Sequence, residues 1–134
     1  MKLEQRNTRK QGDVAIGAAI AYFSGLGYTV ALPLTDSQPY DLIIDNGSLS
    51  RVQVKYTSTQ HAGIYYIRLQ SMAGKRNDGT RYKKDFNPLS VDAVFVLTSD
   101  KRKFLVPTLE IKSQRLSVGG DRASDFGASK FEIF

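Results

Sequence analysis

The chain of 134 residues has no cysteine and a single histidine, His61. Without cysteine there is neither a disulfide framework nor a thiolate metal site. One histidine excludes a zinc site built from clustered imidazoles and weakens any histidine-based triad, so a bound metal would be held by oxygen. His61 itself falls in a polar stretch, where a lone histidine is ordinarily solvated, and no catalytic role is assigned to it. No apolar run reaches the ~20 residues of a membrane span. The first residues, MKLEQRNTRKQGD, are charged and lack the apolar core of a secretion signal. The expected setting is therefore the cytoplasm, away from membranes. Asn46-Gly47-Ser48 matches a glycosylation acceptor but is read as a turn.

What is present is ordinary in amount and uneven in charge. Apolar residues make up 41% and charged residues 24%, which suits a globular protein, and 134 residues suit one domain spanning 1–134 with a modest core. The net charge of +6 favours a polyanionic partner, nucleic acid above all.

The most informative stretch is YDLIIDNGSLSRVQVKY, from Tyr40 to Tyr56. Leu42 and Ile44 alternate with Asp41, Ile43 and Asp45, while Val52 and Val54 alternate with Arg51, Gln53 and Lys55. Two strands with period 2, joined at Asn46-Gly47-Ser48, form a hairpin with one apolar and one polar face. A hairpin symmetric about Ser48 places Asp41 opposite Lys55, with Gln53 two residues away on the same face. That patch reads in two ways. It is a solvated sheet face, where a cross-strand Asp–Lys pair adds only roughly 0.2–1 kcal/mol. Alternatively, carboxylate and amide oxygens hold a hard cation while a lysine stabilises charge on a phosphate.

In order along the chain, Asn7 or Thr8 caps a helix that runs to about Ser24 and stops at Gly25-Leu26-Gly27. Its apolar body predicts burial on more than one side, with Gly17, Ala18 and Ala21 allowing close approach to a sheet. Asp13, in the first turn, is either a partner of the helix dipole or a second acid aimed at the hairpin. Tyr28–Leu32 predicts a strand ended by Pro33, and Thr35–Pro39 a polar connection. Ile64–Leu69 predicts a third strand beside the hairpin. Ser71–Asp85 breaks periodicity and carries Lys75, Arg76, Arg81, Tyr82, Lys83 and Lys84. It is read as a long loop, either solvated or a basic arm along a phosphate backbone with Tyr82 packing on a sugar or base. Val91–Leu97 and Lys103–Val106 predict a hairpin at the far side of the sheet, Leu109–Leu116 a short helix, Ser117–Ser129 an irregular segment and Phe131–Phe134 an edge strand or a subunit contact.

Gly12-Asp13-Val14-Ala15 on a helix, Leu32-Pro33-Leu34, Tyr40-Asp41-Leu42 and Val52-Gln53-Val54-Lys55 occur in that order, followed by Phe95–Pro107. This pattern, covering roughly Gln11 to Ile111, resembles the PD-(D/E)XK nuclease superfamily. It is most similar to the small group I intron-associated homing endonucleases, in which glutamine replaces the last acid. The resemblance implies an α/β (α+β) fold with a mixed central β-sheet flanked by helices, a restriction-endonuclease-like core. It implies a Mg²⁺-dependent endonuclease, with Mn²⁺ able to substitute, that cleaves duplex DNA. A Holliday-junction resolvase acting on branched DNA and a binding module that has lost cleavage are the alternatives. Carried over, Asp41 is the principal metal ligand, with Gln53 and the Val54 carbonyl beside it, and Lys55 positions water and stabilises charge. Asp13 stands where many relatives carry Glu; one methylene shorter, it helps through water. Tyr40 stands where the superfamily has proline. Cutting both strands with one site per subunit implies a homodimer or homotetramer.

A neutral glutamine leaves more positive charge on the cation and binds it less tightly than an acid would. The free protein is therefore expected to bind Mg²⁺ weakly, with substrate phosphates completing its shell. Calorimetric titration checks this, and micromolar Mg²⁺ binding without DNA would contradict it.

Overall fold

The structure, a computed structural model, describes residues 8–75, 77–120 and 130–134. Helix α1 spans Thr8–Gly25 and buries Ala15, Ala19 and Phe23, one residue per turn. Only that line is buried: Val14 is 49% exposed, and Gly17 and Ala21 also face outward. The expectation of burial on several sides fails because only one sheet face covers the helix, and Ala15 and Ala19 are the small residues that permit close packing. The helix ends as its glycines foretell. Tyr28 N–H bonds the Phe23 carbonyl at 3.1 Å, Gly27 N–H bonds that of Ser24 at 2.9 Å, and Gly27 takes φ of +81°. This is a Schellman closure, and the Tyr28 ring stacks 6.4 Å from that of Phe23. Asn7, the alternative cap, lies outside the described residues.

The central sheet has six strands. β1 (Thr29–Ala31), β2 (Leu42–Asp45) and β3 (Leu49–Thr57) are followed in space by β8 (Ala93–Thr98), β9 (Lys103–Pro107) and β11 (Glu132–Ile133). β3 and β8 run parallel and every other neighbouring pair antiparallel, so the sheet is mixed. β8 is buried along almost its whole length, as its continuous apolar run VFVL requires of a central strand. It lies between β3 and β9 and is not at the far side of the sheet. Leu42, Ile44, Val52, Phe95 and Leu97 face α1.

Val94, Val96, Phe104 and Val106 point the other way, into a second core. A three-stranded sheet covers them, made of β4 (Gln60–His61), β5 (Ile64–Arg68) and β10 (Arg115–Val118) in the order β10-β5-β4. β5 therefore does not extend the hairpin. Its inward residues Tyr65 and Ile67 stack on the central sheet, and both of its edges are already paired. The expected helix at Leu109–Leu116 is only a 3₁₀ turn at Thr108–Glu110 before β10, because Leu116 and Val118 alternate inward as a strand does. The layers are thus helix, sheet and sheet, with α1 the only α-helix among the described residues. No described helix is long and apolar enough to cross a membrane.

The basic segment is an antiparallel ribbon of β6 (Ser71–Lys75) and β7 (Arg81–Lys84), not a loop. Its turn is closed by Thr80, whose N–H and Oγ1 both donate to Asp78 Oδ1 at 2.9 and 2.6 Å, and by Gly79 at φ +84°. Asp78-Gly79 is a strong hairpin signal in the sequence, masked by the basic residues around it. The last strand, β11, does pair at the sheet edge beside β9. Arg102 clamps it through a bidentate pair with Glu132 at 2.7 and 2.9 Å.

Candidate active site

β3 carries the polar side chains of the site, and the end of β2 determines what meets them. The hairpin pairs Leu42 with Val52, Ile43 with Arg51 and Ile44 with Ser50, so it is symmetric about Gly47, at φ +108°, and not about Ser48. The ladder stops at Leu42–Val52, and Lys55 lies three residues beyond that last pair. The expected Asp41–Lys55 cross-strand pair is therefore replaced by a different contact. Asp41 N–H donates to the Val52 carbonyl at 2.9 Å, and its Oδ2 accepts from Val54 N–H at 2.7 Å. A residue's N–H and C=O lie on the same edge of its strand, so the Val54 carbonyl also lies on the edge of β3 that Asp41 closes.

Gln53 and Lys55 pair in register with Val94 and Val96. They therefore share the sheet face that packs against β5 and β10, and both are half-buried. This removes the reading of a freely solvated face. Gln53 Oε1 is buried without a hydrogen-bond partner among the described residues. An unsatisfied buried acceptor costs ~1–3 kcal/mol, so a fold that keeps one needs a reason.

Charge at the site runs against burial. Asp41 keeps one side open to solvent, yet crowding by protein atoms raises its carboxyl pKa, with the Val54 N–H and then Lys55 opposing the rise. Desolvation likewise lowers the pKa of Lys55, with Asp41 opposing. Opposite shifts of this kind are typical of groups placed for chemistry rather than for stability.

Two clefts flank the cluster. One of about 210 Å³ is lined by Asp41, Tyr40, Ile16, Asp36 and Gln38 among others. The second, about 510 Å³, includes Gln53, Lys84, Asp36, Gln38 and Phe86 in its lining. Asp36 thus borders both, and nothing in the polar stretch Thr35–Pro39 distinguished it. Asp13 is exposed on α1 one turn before Ile16, and it does not line the cleft that contains Asp41. Among the described residues no three Asp, Glu or His side chains gather as a metal cluster, so any cation at this site would have a mixed donor set. Asp92, another acid of the central sheet, is committed elsewhere. Its carboxylate accepts from Arg51 N at 2.7 Å and Nε at 3.1 Å, which holds its pKa down and ties the start of β8 to β3.

Arg81, Tyr82, Lys83 and Lys84 are exposed on the ribbon, and Lys75 lies opposite Arg81. Lys84 connects the ribbon to the cleft at Gln53. Arg76 lies outside the described residues.

The family model described as PD-(D/E)XK endonuclease matches residues 6–120. The chain belongs to the PD-(D/E)XK endonuclease family. No curated protein matches it. Among solved structures it is similar to a bacterial homing endonuclease, I-Ssp6803I, at 21% identity and a TM-score of 0.79, over 95% of this chain and 89% of that one. That likeness establishes the restriction-endonuclease-like fold.

PD-(D/E)XK nucleases generally use divalent metals. The residues here fit one: the Asp41 carboxylate, the orphaned Gln53 Oε1 and the Val54 carbonyl are all hard oxygen donors.

Because the folded state holds the Asp41 proton more tightly than the unfolded chain does, this group favours folding fully below the ordinary value of 3.8. That contribution is lost as pH rises through the raised value. Asp41→Asn keeps an acceptor for Val54 N–H but cannot ionise. In EDTA, its melting temperature relative to wild type is expected to climb as pH rises from about 3 to neutrality. Melting curves across that range check this, and a gap that narrows would contradict it.

Proposed function

We propose that this endonuclease is Mg²⁺-dependent, hydrolyses phosphodiester bonds in duplex DNA, and is of the homing type. The observation that carries the metal dependence is the orphaned, buried Gln53 Oε1 on β3, one residue before the Val54 amide that the Asp41 carboxylate accepts from. DNA as the substrate is supported by family membership, by the net charge of +6, and by a ribbon that exposes Arg81, Lys83 and Lys84, the last of them lining the cleft at Gln53. The homing role is supported by the likeness to a bacterial homing endonuclease.

In this reading Asp41 and the oxygens of Gln53 and Val54 would hold the cation, which when bound would supply positive charge to phosphate oxygens and acidify water. Lys55 orients the attacking water and donates to the phosphoryl oxygens as negative charge builds. Desolvation lowers its pKa, so it gives up a proton more readily than a solvated lysine does. Water forms the new P–O bond and loses a proton to solvent, while the bond to the leaving sugar oxygen breaks and that oxygen takes up a proton from solvent. Asp13, exposed on α1, acts on this centre only through water. The ribbon, with Lys75, Arg81, Tyr82, Lys83 and Lys84, tracks the backbone beyond the scissile bond, and Arg76 adds to this basic stretch of sequence. Cutting both strands calls for a homodimer or homotetramer.

Incubation with plasmid, four-way junction and tRNA, with Mg²⁺ or EDTA, tests this reading. Discrete, Mg²⁺-dependent cuts in long duplex are expected, and Asp41→Ala or Lys55→Ala should each lower the rate at least about 10²-fold while folding persists. Cleavage of the junction alone would indicate a resolvase. Salt-sensitive binding without any cleavage would indicate a binding module.

A further inference from the structure

A larger depression, about 800 Å³, contains none of Asp41, Gln53 or Lys55. It lies on the outer face of β5 and β10 and is lined by Arg68, Arg115, Tyr66, Gln70, Gln114 and Ser113, with Thr59 and Ile67 completing it. No Asp or Glu borders it. Arg68 and Arg115 are direct cross-strand partners, and both are exposed. Like charges directly opposite each other on one sheet face repel, and an anion between them would relieve that repulsion. Among the described residues Arg68 has no acidic partner. Arg115 is already ordered: its guanidinium carbon sits 4.1 Å from the Tyr66 ring centroid. Stacking of this kind leaves the N–H edges of the guanidinium available to phosphate oxygens.

The depression also adjoins the cleft at Gln53. Gln70 lines it and donates to Asp85 Oδ1 at 2.7 Å, and Asp85 borders that cleft. Gln114 lines it too, accepting from Phe86 N at 2.7 Å and donating to Phe86 O at 3.2 Å, and Phe86 borders the same cleft. One wall of protein separates the two.

We infer that the β5–β10 face is a second phosphate-backbone site, where Arg68 and Arg115 grip nucleic acid flanking the cut. This rests on the nuclease reading above and extends it to a surface that the basic ribbon does not cover. Two adjacent phosphates, each meeting one guanidinium, would relieve the arginine repulsion and lengthen the footprint.

The test is fluorescence anisotropy with a labelled duplex of about 40 base pairs in EDTA, over a range of salt. Each phosphate contact contributes about 0.9 to the slope of log affinity against log salt. Arg68→Gln with Arg115→Gln should flatten the slope by about 2, Arg68→Gln alone by about 1, and the double Lys replacement should restore most of it. Arg68→Gln guards against misfolding, since Arg68 makes no ion pair among the described residues. If wild type binds and cuts duplex while the variants keep its slope, the groove is wrong and the nuclease reading stands. If wild type fails to bind duplex, both fall. Loss of oligoglutamate binding with an unchanged DNA slope would assign the groove to an acidic protein segment and overturn the proposal.

Discussion

The site depends on one hydrogen bond, from Val54 N–H to Asp41 Oδ2 at 2.7 Å. β2 begins at Leu42, just after Asp41, and β3 continues alone on that edge toward Thr57. The backbone groups of Val54 would otherwise be unpaired there. The carboxylate takes the amide and stays close to the carbonyl that shares its edge. The same contact keeps Asp41 against β3 one residue along from Gln53, whose side-chain oxygen has no hydrogen-bond partner among the described residues. A strand that ends early on one side therefore creates a cluster of oxygens, and the hairpin turn at Gly47 decides which residues form it.

Around that cluster the fold accepts costs. The six-stranded sheet is apolar on both faces, covered by α1 on one side and by β5 and β10 on the other. Gln53 and Lys55 lie on the second of these faces, at the margin of the core formed by Val94 and Val96. Burial there raises the Asp41 pKa and lowers that of Lys55, each moving toward its neutral form. Nothing in stability alone favours this arrangement, since an apolar pair would suit the position better. It is what a site needs if charge is to be supplied by a ligand and withdrawn when the ligand leaves.

Much of the candidate site was legible because alternation is local. The parity of Asp41, Gln53 and Lys55 follows from period 2, and so does the burial of Leu42, Ile44 and Val52. α1 was legible from its apolar run and its glycine stop. What was not legible is non-local. Ser48 and Gly47 are both credible centres of the turn, and choosing the wrong one moves the partner of Leu42 from Val52 to Val54 and sets Asp41 opposite Lys55. Ile64–Arg68 reads as a strand in either sheet, and only packing of Tyr65 and Ile67 over Val94 and Val96 decides between them. The ribbon was hidden because neither SMAGK nor RYKK alternates apolar with polar residues, which leaves no period to detect. Asp36 gave no signal at all, since its place beside both clefts comes from how the connection folds.

The account claims that Asp41, Gln53 and Val54 grip a single ion. A co-crystal with duplex DNA and non-activating Ca²⁺ measures this directly. It should show the ion about 2.3–2.6 Å from Asp41, from Gln53 Oε1 and from the Val54 carbonyl, with a DNA phosphate completing the shell. Gln53 Oε1 hydrogen-bonded to a protein or DNA donor, with no ion in reach, would contradict it.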